Sequence, residues 1–106
     1  MDMFSALAEP NRRGIVELLS IKGQLSATEI SDKFKVTPQA VSQHLKVLRE
    51  AELVQVEKRA QQRIYQLNPD KVDELESWIK KLRQRWEERF DALDKVLERE
   101  KRRMKR

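Results

Sequence analysis

The chain has 106 residues, with 23 Lys and Arg against 18 Asp and Glu and a formal net charge of +5 at pH 7. That length suits one domain with a modest core, and the basic balance, with a pI near 9.7, favours a polyanionic partner. Cysteine is absent, which excludes disulfides and thiolate chemistry, and no apolar run approaches the roughly 18 residues that a membrane span needs.

Two helices are predicted before residue 24. The first covers residues 2–8, with Phe4 and Leu7 pointing inward. Because recognisable structure begins at Phe4, we expect no signal peptide and a cytoplasmic protein. Pro10 suits the first turn of the second helix, and Gly23 is predicted to cap its C-terminal end, since only glycine takes the left-handed conformation cheaply. The second helix carries three apolar residues at core spacing: Ile15, Leu18 and Leu19.

Two arginines, Arg12 and Arg13, fall in the first turn of this second helix. Cations oppose the helix dipole at that end, so their position needs an explanation. One interpretation is an ion pair of Arg13 with Glu17, one helical turn later. The other is contact with the phosphates of a nucleic acid. Residue pattern alone leaves both interpretations open.

A short helix followed by a tight turn is predicted next. Ser26 and Glu29 have the spacing of a capping box, and Ile30 and Phe34 lie one helical turn apart. Residues 35–36 then turn directly into another helix. Two short helices joined in this way, the second with an unusual polar face, are typical of a helix-turn-helix.

Residues 37–50 are predicted to form that second helix, with Thr37 as its N-cap and Pro38 at the first helical position. At about 100° per residue, three apolar residues fall in one core-facing stripe: Val41, Leu45 and Leu48. The opposite face carries a cluster of mainly uncharged polar groups: Gln39, Ser42, Gln43 and Lys46. Amides both donate and accept hydrogen bonds, and such groups read base edges in a major groove. An ordinary amphipathic helix with a polar outer face is the alternative.

Two segments of alternating polarity, residues 53–57 and 63–67, predict a β-hairpin at the position of a wing. Its tip, residues 59–62, lacks the Gly or Asn that a two-residue turn favours, so we expect a four-residue loop. Three cations are predicted phosphate ligands: Lys58, Arg59 and Arg63. Two glutamines, Gln61 and Gln62, are candidates for the minor groove. A solvated hairpin tip is the alternative, and Tyr65 is expected to pack against the wing and helix.

Residues from about 4 to 68 resemble the ArsR family of winged-helix bacterial transcriptional repressors. The matching segments are residues 7–13 (Leu-Ala-Glu-Pro-Asn-Arg-Arg), 41–49 (Val-Ser-Gln-His-Leu-Lys-Val-Leu-Arg) and 65–67 (Tyr-Gln-Leu). The resemblance implies a mainly α fold with a small β-hairpin, a winged helix-turn-helix followed by a long C-terminal dimerisation helix. Residues 1–68 would be the DNA-binding domain, and residues 69–106 the dimerisation helix with a basic tail.

A long helix is predicted from Pro69 to about Arg103, with Asn68 as its cap. Its length of roughly 50 Å exceeds the roughly 30 Å of a small domain. Apolar residues recur along it at intervals of three and four: Val72, Leu75, Ile79, Leu82, Trp86, Phe90, Leu93 and Leu97. Each such side chain is worth about 1.5–3 kcal/mol when buried, so we expect the stripe to pack on a second chain. The step from Trp86 to Phe90 breaks heptad spacing, which favours a short bundle-like seam over a long coiled coil.

The second chain is predicted to pack as an antiparallel pair or through its first helix, since ArsR-type proteins dimerise through both terminal helices. The predicted interface is Phe4, Leu7, Leu75, Trp78, Ile79, Leu82, Trp86, Phe90, Leu93 and Leu97. A groove for some other protein is the alternative. Residues 99–106 hold six cations and one carboxylate and are predicted to form a solvated tail.

Neither a metal site nor catalysis is expected. Many ArsR family members release DNA when a metal or oxidant binds their cysteines or histidines, and those ligands are missing here. The long helix offers carboxylates without a histidine, a weak set for transition metals: Asp70, Asp73, Glu74 and Glu76. His44, the only histidine, matches the family's Ser-x-His-Leu signature and is assigned to packing or DNA contact. Two glycines and no cysteine leave no phosphate loop and no nucleophile–base pair, so we expect no enzyme and no cofactor.

These patterns together predict a homodimer that binds double-stranded DNA, and the resemblance to the ArsR family implies that it represses transcription. Its two recognition helices would enter successive major grooves, about 34–36 Å apart, on an inverted repeat. The DNA-contacting residues predicted in this helix are Thr37, Pro38, Gln39, Ser42, Gln43, His44 and Lys46. Two other classes stay open: a non-specific architectural DNA-binding protein, and a protein-interaction module that uses the long helix.

Overall fold

In a computed structural model, residues 1–104 are described and form five α-helices and a three-stranded antiparallel sheet. The helices are α1 (Met3–Leu7), α2 (Pro10–Lys22), α3 (Ala27–Lys33), α4 (Pro38–Glu50) and α5 (Pro69–Met104). The strands are β1 (Gln24–Ser26), β2 (Val54–Arg59) and β3 (Gln62–Leu67), in the order β1-β3-β2. The mainly α winged helix-turn-helix with a long last helix is therefore confirmed.

The chain divides into two compact units, Met1–Val72 and a second unit that begins at Asp73. The first unit holds the buried apolar core, to which every helix from α1 to α4 and all three strands contribute. Its members are Met3, Ala6, Ile15, Leu19, Leu25, Ile30, Val41, Leu45, Leu48, Ala51, Leu53, Val54 and Tyr65. The burial predicted for Tyr65 is confirmed.

Helix α1 is shorter than predicted and turns a different face inward. The carboxylate of Asp2 accepts the Ser5 backbone N–H at 2.7 Å, which makes Asp2 the N-cap. Met3 and Ala6 are the buried residues, whereas Phe4 is 45% exposed and Leu7 is half-buried. The prediction that Phe4 points inward is wrong, because a five-residue helix has one inner face, and the spacing of Met3 and Ala6 defines it.

Helix α2 begins and ends where its proline and glycine predict. Pro10 occupies the first turn, and Gly23, with φ 83°, caps the C-terminal end through its N–H to the Leu19 carbonyl at 2.8 Å. Gly14 allows a close approach, since a Cβ there would lie 2.9 Å from Cε1 of Phe34. The half-buried Phe34 ring at the end of α3 therefore packs directly against the backbone of α2 at Gly14.

Both caps of the helix-turn-helix are confirmed. Ser26 Oγ accepts the Glu29 N–H at 3.1 Å while Glu29 Oε1 accepts the Ser26 N–H at 3.0 Å, the two halves of a capping box. Thr37 Oγ1 accepts the Ala40 N–H at 3.1 Å at the start of α4. The predicted inner stripe of α4 is also confirmed, with three buried side chains: Val41, Leu45 and Leu48.

The predicted hairpin gains a third strand. Strand β1 has three residues, too few to show an alternating pattern in the sequence. Its Leu25 lies opposite Tyr65 of β3. The hairpin turn itself contradicts the expected four-residue loop. Arg59 pairs with Gln62, so only Ala60 and Gln61 form the turn, and Ala60 takes φ 54° in place of the absent glycine.

Helix α5 has 36 residues, a length of roughly 54 Å. At its start, Asn68 Oδ1 accepts the Asp70 N–H at 3.2 Å and its Nδ2 donates to the Glu52 carbonyl at 2.9 Å. None of its described residues is buried. The last two residues of the predicted basic tail, Lys105 and Arg106, lie outside the described residues. No helix in the described part of the chain is long and apolar enough to span a bilayer.

Replacing Ala60 by Gly should raise the free energy of unfolding by up to about 1 kcal/mol. Alanine at φ 54° bears the cost of a Cβ in the left-handed region, which glycine avoids, offset in part by the greater freedom of glycine in the unfolded chain. Urea unfolding measures the difference, and Ala60→Val should lower stability instead. Equal stability of the alanine and valine forms would contradict a left-handed residue at this turn.

Candidate nucleic-acid interface

Helix α4 presents most of its predicted DNA-contacting residues to solvent. The exposed set is Thr37, Pro38, Gln39, Ser42, Gln43 and Lys46. The buried stripe on the opposite side fixes which face is outward. The first turn contains no acidic residue, so the positive end of the helix dipole stays available to a phosphate.

The outer face of α4 is chemically suited to reading bases. Gln39 and Gln43 lie one helical turn apart, each with an amide that donates and accepts, and Ser42 adds a hydroxyl. A carboxamide can form paired hydrogen bonds to the N6 and N7 edge of adenine in the major groove. Lys46, one turn further on, supplies a cation for a base or a phosphate.

His44 differs from the other α4 candidates, because only 17% of its side chain is exposed. Its Nδ1 lies 3.6 Å from Oε2 of Glu9, the residue that precedes α2. His44 therefore sits where α4 packs against the start of α2. This position agrees with the packing alternative for His44, while the DNA contact stays a prediction.

Glu9 is the N-cap of α2, with its carboxylate held by several donors. Oε2 accepts the Arg12 N–H at 2.8 Å, and Oε1 accepts the Asn11 side-chain amide at 3.2 Å. Burial of the carboxyl opposes its ionisation. Hydrogen bonds from the Arg12 and Asn11 backbone N–H groups, with the charges of His44 and Arg12, outweigh that effect and lower the pKa of Glu9 below its ordinary 4.5. The ionised carboxylate is thus the preferred form in the fold.

Arg12 and Arg13 bind the end of α1, which neither earlier interpretation described. Arg12 Nε donates to the Ala6 carbonyl at 2.7 Å and its Nη2 to Ser5 at 3.3 Å. Arg13 Nη1 donates to the Leu7 and Ala8 carbonyls at 2.9 and 3.3 Å. The last carbonyls of a helix lack intrahelical partners and carry its negative dipole end, so two cations are favourable there.

The wing concentrates positive charge near its tip. Lys58 lies directly opposite Arg63 in the β2–β3 register, and both side chains are exposed. Like charges in directly opposed positions destabilise a hairpin. Arg59 forms an ion pair with Glu57 at 3.1 Å, so the negative charge of Glu57 offsets the positive charge of Arg59. Lys58 and Arg63 are therefore the stronger pair of candidate phosphate ligands.

The remaining wing candidates lie at the turn and beside it. Gln61 is the second turn residue and Gln62 begins β3, and both are exposed. No group of three or more His, Cys, Asp or Glu in the described residues is placed to hold a metal ion.

Comparison with known proteins identifies the family. A family model described as a helix-turn-helix domain matches residues 7–57. The transcriptional repressor SdpR of Bacillus subtilis is 30% identical over 78 residues, 74% of this chain and 86% of that protein. An arsenical resistance operon repressor of Staphylococcus xylosus is 34% identical over 71 residues, 67% of each chain. A crystal structure of a possible transcriptional regulator for arsenical resistance is 34% identical, with a TM-score of 0.70 over 77% of this chain and 84% of that one.

The chain belongs to the ArsR family.

Membership makes it a transcriptional regulator of helix-turn-helix type, from a family that is not enzymatic. Sequence reasoning did not find two features of this ArsR chain: the contact of Glu9 with His44 and the binding of Arg12 and Arg13 to α1. Pro10 at the first helical position marks Glu9 as the N-cap position, although Glu is not one of the preferred N-cap residues. The contact with His44 joins residues that are 35 positions apart in the sequence, and no local sequence pattern predicts it.

Replacing Glu9 by Gln should lower the free energy of unfolding near neutral pH and lose this effect in acid. A lowered folded-state pKa contributes stability above the unfolded value, about 4.5, and that contribution disappears as the pH falls through the folded-state pKa. Denaturant unfolding of both proteins across this range measures the gap between them. Glu17→Gln, an exposed position on α2, controls for removal of one carboxylate, and a gap that stays constant with pH would contradict the assignment.

Proposed function

We propose that this ArsR family member is a homodimeric repressor that binds an inverted-repeat operator in double-stranded DNA. The observation that carries the proposal is the exposed, mainly uncharged polar face of α4, held outward by three buried apolar residues. A general solvent face needs no such composition, whereas a base-reading face does. The repressors of Bacillus subtilis and Staphylococcus xylosus that match this chain support repression over activation. Binding to chromosomal DNA also assigns the protein to the cytoplasm.

In this proposal α4 enters the major groove by its amino-terminal half. Gln39 and Gln43 contact base edges, while Thr37, Ser42 and Lys46 contact bases or the adjoining phosphates. Helix-turn-helix proteins place the first turns of the recognition helix nearest the bases. The absence of acidic residues from the first turn of α4 supports this orientation of the helix, because a carboxylate there would repel the phosphates of the DNA.

The wing supplies the charge-dependent part of binding. The exposed pair of Lys58 and Arg63 costs stability in the free protein because two cations face each other across the hairpin. Phosphates would reverse that cost, and each neutralised phosphate also releases counterions. Gln61 and Gln62 at the turn then lie closest to a neighbouring minor groove.

The dimer is proposed to form along α5. In the described chain, Trp86, Phe90, Leu93 and Leu97 are 60%, 47%, 51% and 50% exposed. The rings of Trp86 and Phe90 pack edge to face at 5.0 Å. An apolar stripe of this extent on one helix marks an interaction site.

The spacing of the stripe supports an antiparallel pair. Seven residues of the stripe are spaced symmetrically about Trp86: Leu75, Ile79, Leu82, Trp86, Phe90, Leu93 and Leu97. Trp78 and Val96 fall outside this symmetry. An antiparallel partner centred on Trp86 therefore pairs each of these seven positions with an apolar residue, with Ile79 beside the partner's Leu93. A partner protein of another kind would need no such symmetry.

The direct test is selection of bound fragments from a random duplex library at physiological salt, followed by sequencing. An enriched inverted repeat with half-sites about one helical turn apart supports a dimeric, sequence-reading regulator. Binding without enrichment, lost as salt rises, supports the architectural alternative instead. A protein that binds no duplex and is monomeric at micromolar concentration would leave only the protein-interaction alternative.

Gln43→Ala should weaken binding to the selected site by about 1–3 kcal/mol and relax the preference at one base pair.

Arg63→Ala should weaken binding to all duplexes alike and lower the slope of log affinity against log salt by roughly one. Fluorescence anisotropy with single-base variants of the site measures both effects. Gln84→Ala, an exposed glutamine on α5, is the control, and uniform loss across sequences for Gln43→Ala would reject its role in reading bases.

Because the chain lacks cysteine, single substitutions give unambiguous disulfide cross-links. A mixture of Ile79→Cys and Leu93→Cys chains should cross-link as mixed dimers under mild oxidation, since these positions meet in the antiparallel pair. Each variant alone should stay monomeric on a denaturing gel, because the two copies of one position lie roughly 21 Å apart along the helix. Glu88→Cys, on the opposite face of α5, controls for random collisions. Cross-linking of each variant with itself would indicate a parallel pair.

A further inference from the structure

We propose that Glu9 is a positioning residue for DNA recognition, which acts through His44 to set the orientation of α4 against the start of α2. This inference rests on the proposed function, because it assigns a role in operator reading to a residue outside the DNA-contacting set. Glu9 lies before α2, half-buried, and is one of the carboxylates that the residue pattern did not single out.

The Glu9 carboxylate is held in place by hydrogen bonds that do not involve His44. Its Oε2 accepts the Arg12 N–H at 2.8 Å, and its Oε1 accepts the Asn11 amide at 3.2 Å. The same Oε2 lies 3.6 Å from His44 Nδ1. A side chain held by two donors on its own helix offers a rigid negative charge to the ring, so the ring position follows that of α2.

This contact adds information that the apolar core does not supply. Burial of the inner stripe of α4 is non-directional, so it selects the inward face but tolerates small rotations and shifts of the helix. The Glu9–His44 contact is a pairing of two defined atoms at one edge of that stripe. Since His44 immediately follows Gln43 on the same helix, a movement of α4 that displaces His44 from Glu9 also displaces the reading face. Functional side chains need to be held within about 0.5 Å of the productive geometry.

The contact also reaches α1. Arg12, whose N–H binds Glu9, places its guanidinium on the Ala6 and Ser5 carbonyls at 2.7 and 3.3 Å. The first helix, the start of α2 and α4 are thus joined through Arg12 and Glu9. Removal of the Glu9–His44 contact should free α4 from this connection without opening the core.

Glu9→Asp separates the positioning role from the capping role. Aspartate is a good N-cap residue and keeps an acceptor for the Arg12 N–H. It is one methylene shorter, so it withdraws from the His44 ring. Glu17→Gln, an exposed position on the same helix, is the matched control for a changed acidic residue. His44→Gln removes the other partner.

The measurement is the ratio of affinities for the selected operator and a random duplex of equal length, at one salt concentration, with the melting temperature of each variant. Glu9→Asp should lower this ratio about threefold to tenfold while its affinity for the random duplex and its melting temperature stay unchanged. His44→Gln should lower it by a similar factor, and the double variant should lower it no further. Glu17→Gln should leave the ratio unchanged.

Three results overturn the inference alone. They are an unchanged ratio in Glu9→Asp, an equal loss of both affinities together with a lower melting temperature, and additive losses in the double variant. A wild-type ratio near one overturns the proposed function itself. The wild-type value therefore distinguishes failure of sequence reading from failure of the role assigned to Glu9.

Discussion

Burial of three side chains on α4 is the constraint on which the candidate interface depends. Val41, Leu45 and Leu48 are at most 2% exposed, and three such side chains contribute on the order of 5–9 kcal/mol. That range is comparable with the whole stability of a small domain. A rotation of α4 by one residue towards Ser42, Lys46 and Arg49 would bury polar and charged groups in exchange for apolar ones. The outward direction of Gln39 and Gln43 therefore follows from the core rather than from any contact of their own.

The wing shows the opposite balance, because its features lower the stability of the free chain. Two cations face each other across the hairpin, and alanine occupies a left-handed position at the turn. Neither feature is explained by packing, since the side chains near the tip are exposed. A hairpin selected only for stability would carry Gly or Asn at the turn and opposite charges at the facing positions. This composition supports the proposed contact of the wing with phosphates, because a bound polyanion would offset the repulsion between the two cations.

Local signals predicted the parts of the fold that local chemistry determines. The capping box at Ser26, the Thr37–Pro38 start of α4 and the Gly23 cap depend on contacts within four residues, and all were readable in order along the chain. The candidate DNA-contacting face of α4 followed from helical periodicity alone.

The errors arose where a distant residue decides the outcome. Phe4 was predicted to point inward, although Met3 and Ala6 hold the inner positions of α1. Strand β1 exists because β3 pairs with it, and three residues show no period of their own. The turn at Ala60 was misjudged because strand pairing on both sides outweighs the local preference for glycine. The positions of Arg12 and Arg13 required the end of α1 to be known.

The short first helix connects these observations. A helix of five residues has no independent stability in water, because nucleation costs more than so few hydrogen bonds return. α1 persists because Asp2 caps one end, Arg12 and Arg13 bind the carbonyls at the other, and Met3 and Ala6 are buried. Its position is therefore set by α2, the same helix whose first residues hold Glu9. If a second chain packs on Phe4 and Leu7, as the sequence predicts, its contacts act on an element joined through Arg12 and Glu9 to the recognition helix. Dimer contacts and operator reading would then share a structural support within the first 13 residues, where a change at one site can alter the other without unfolding the domain.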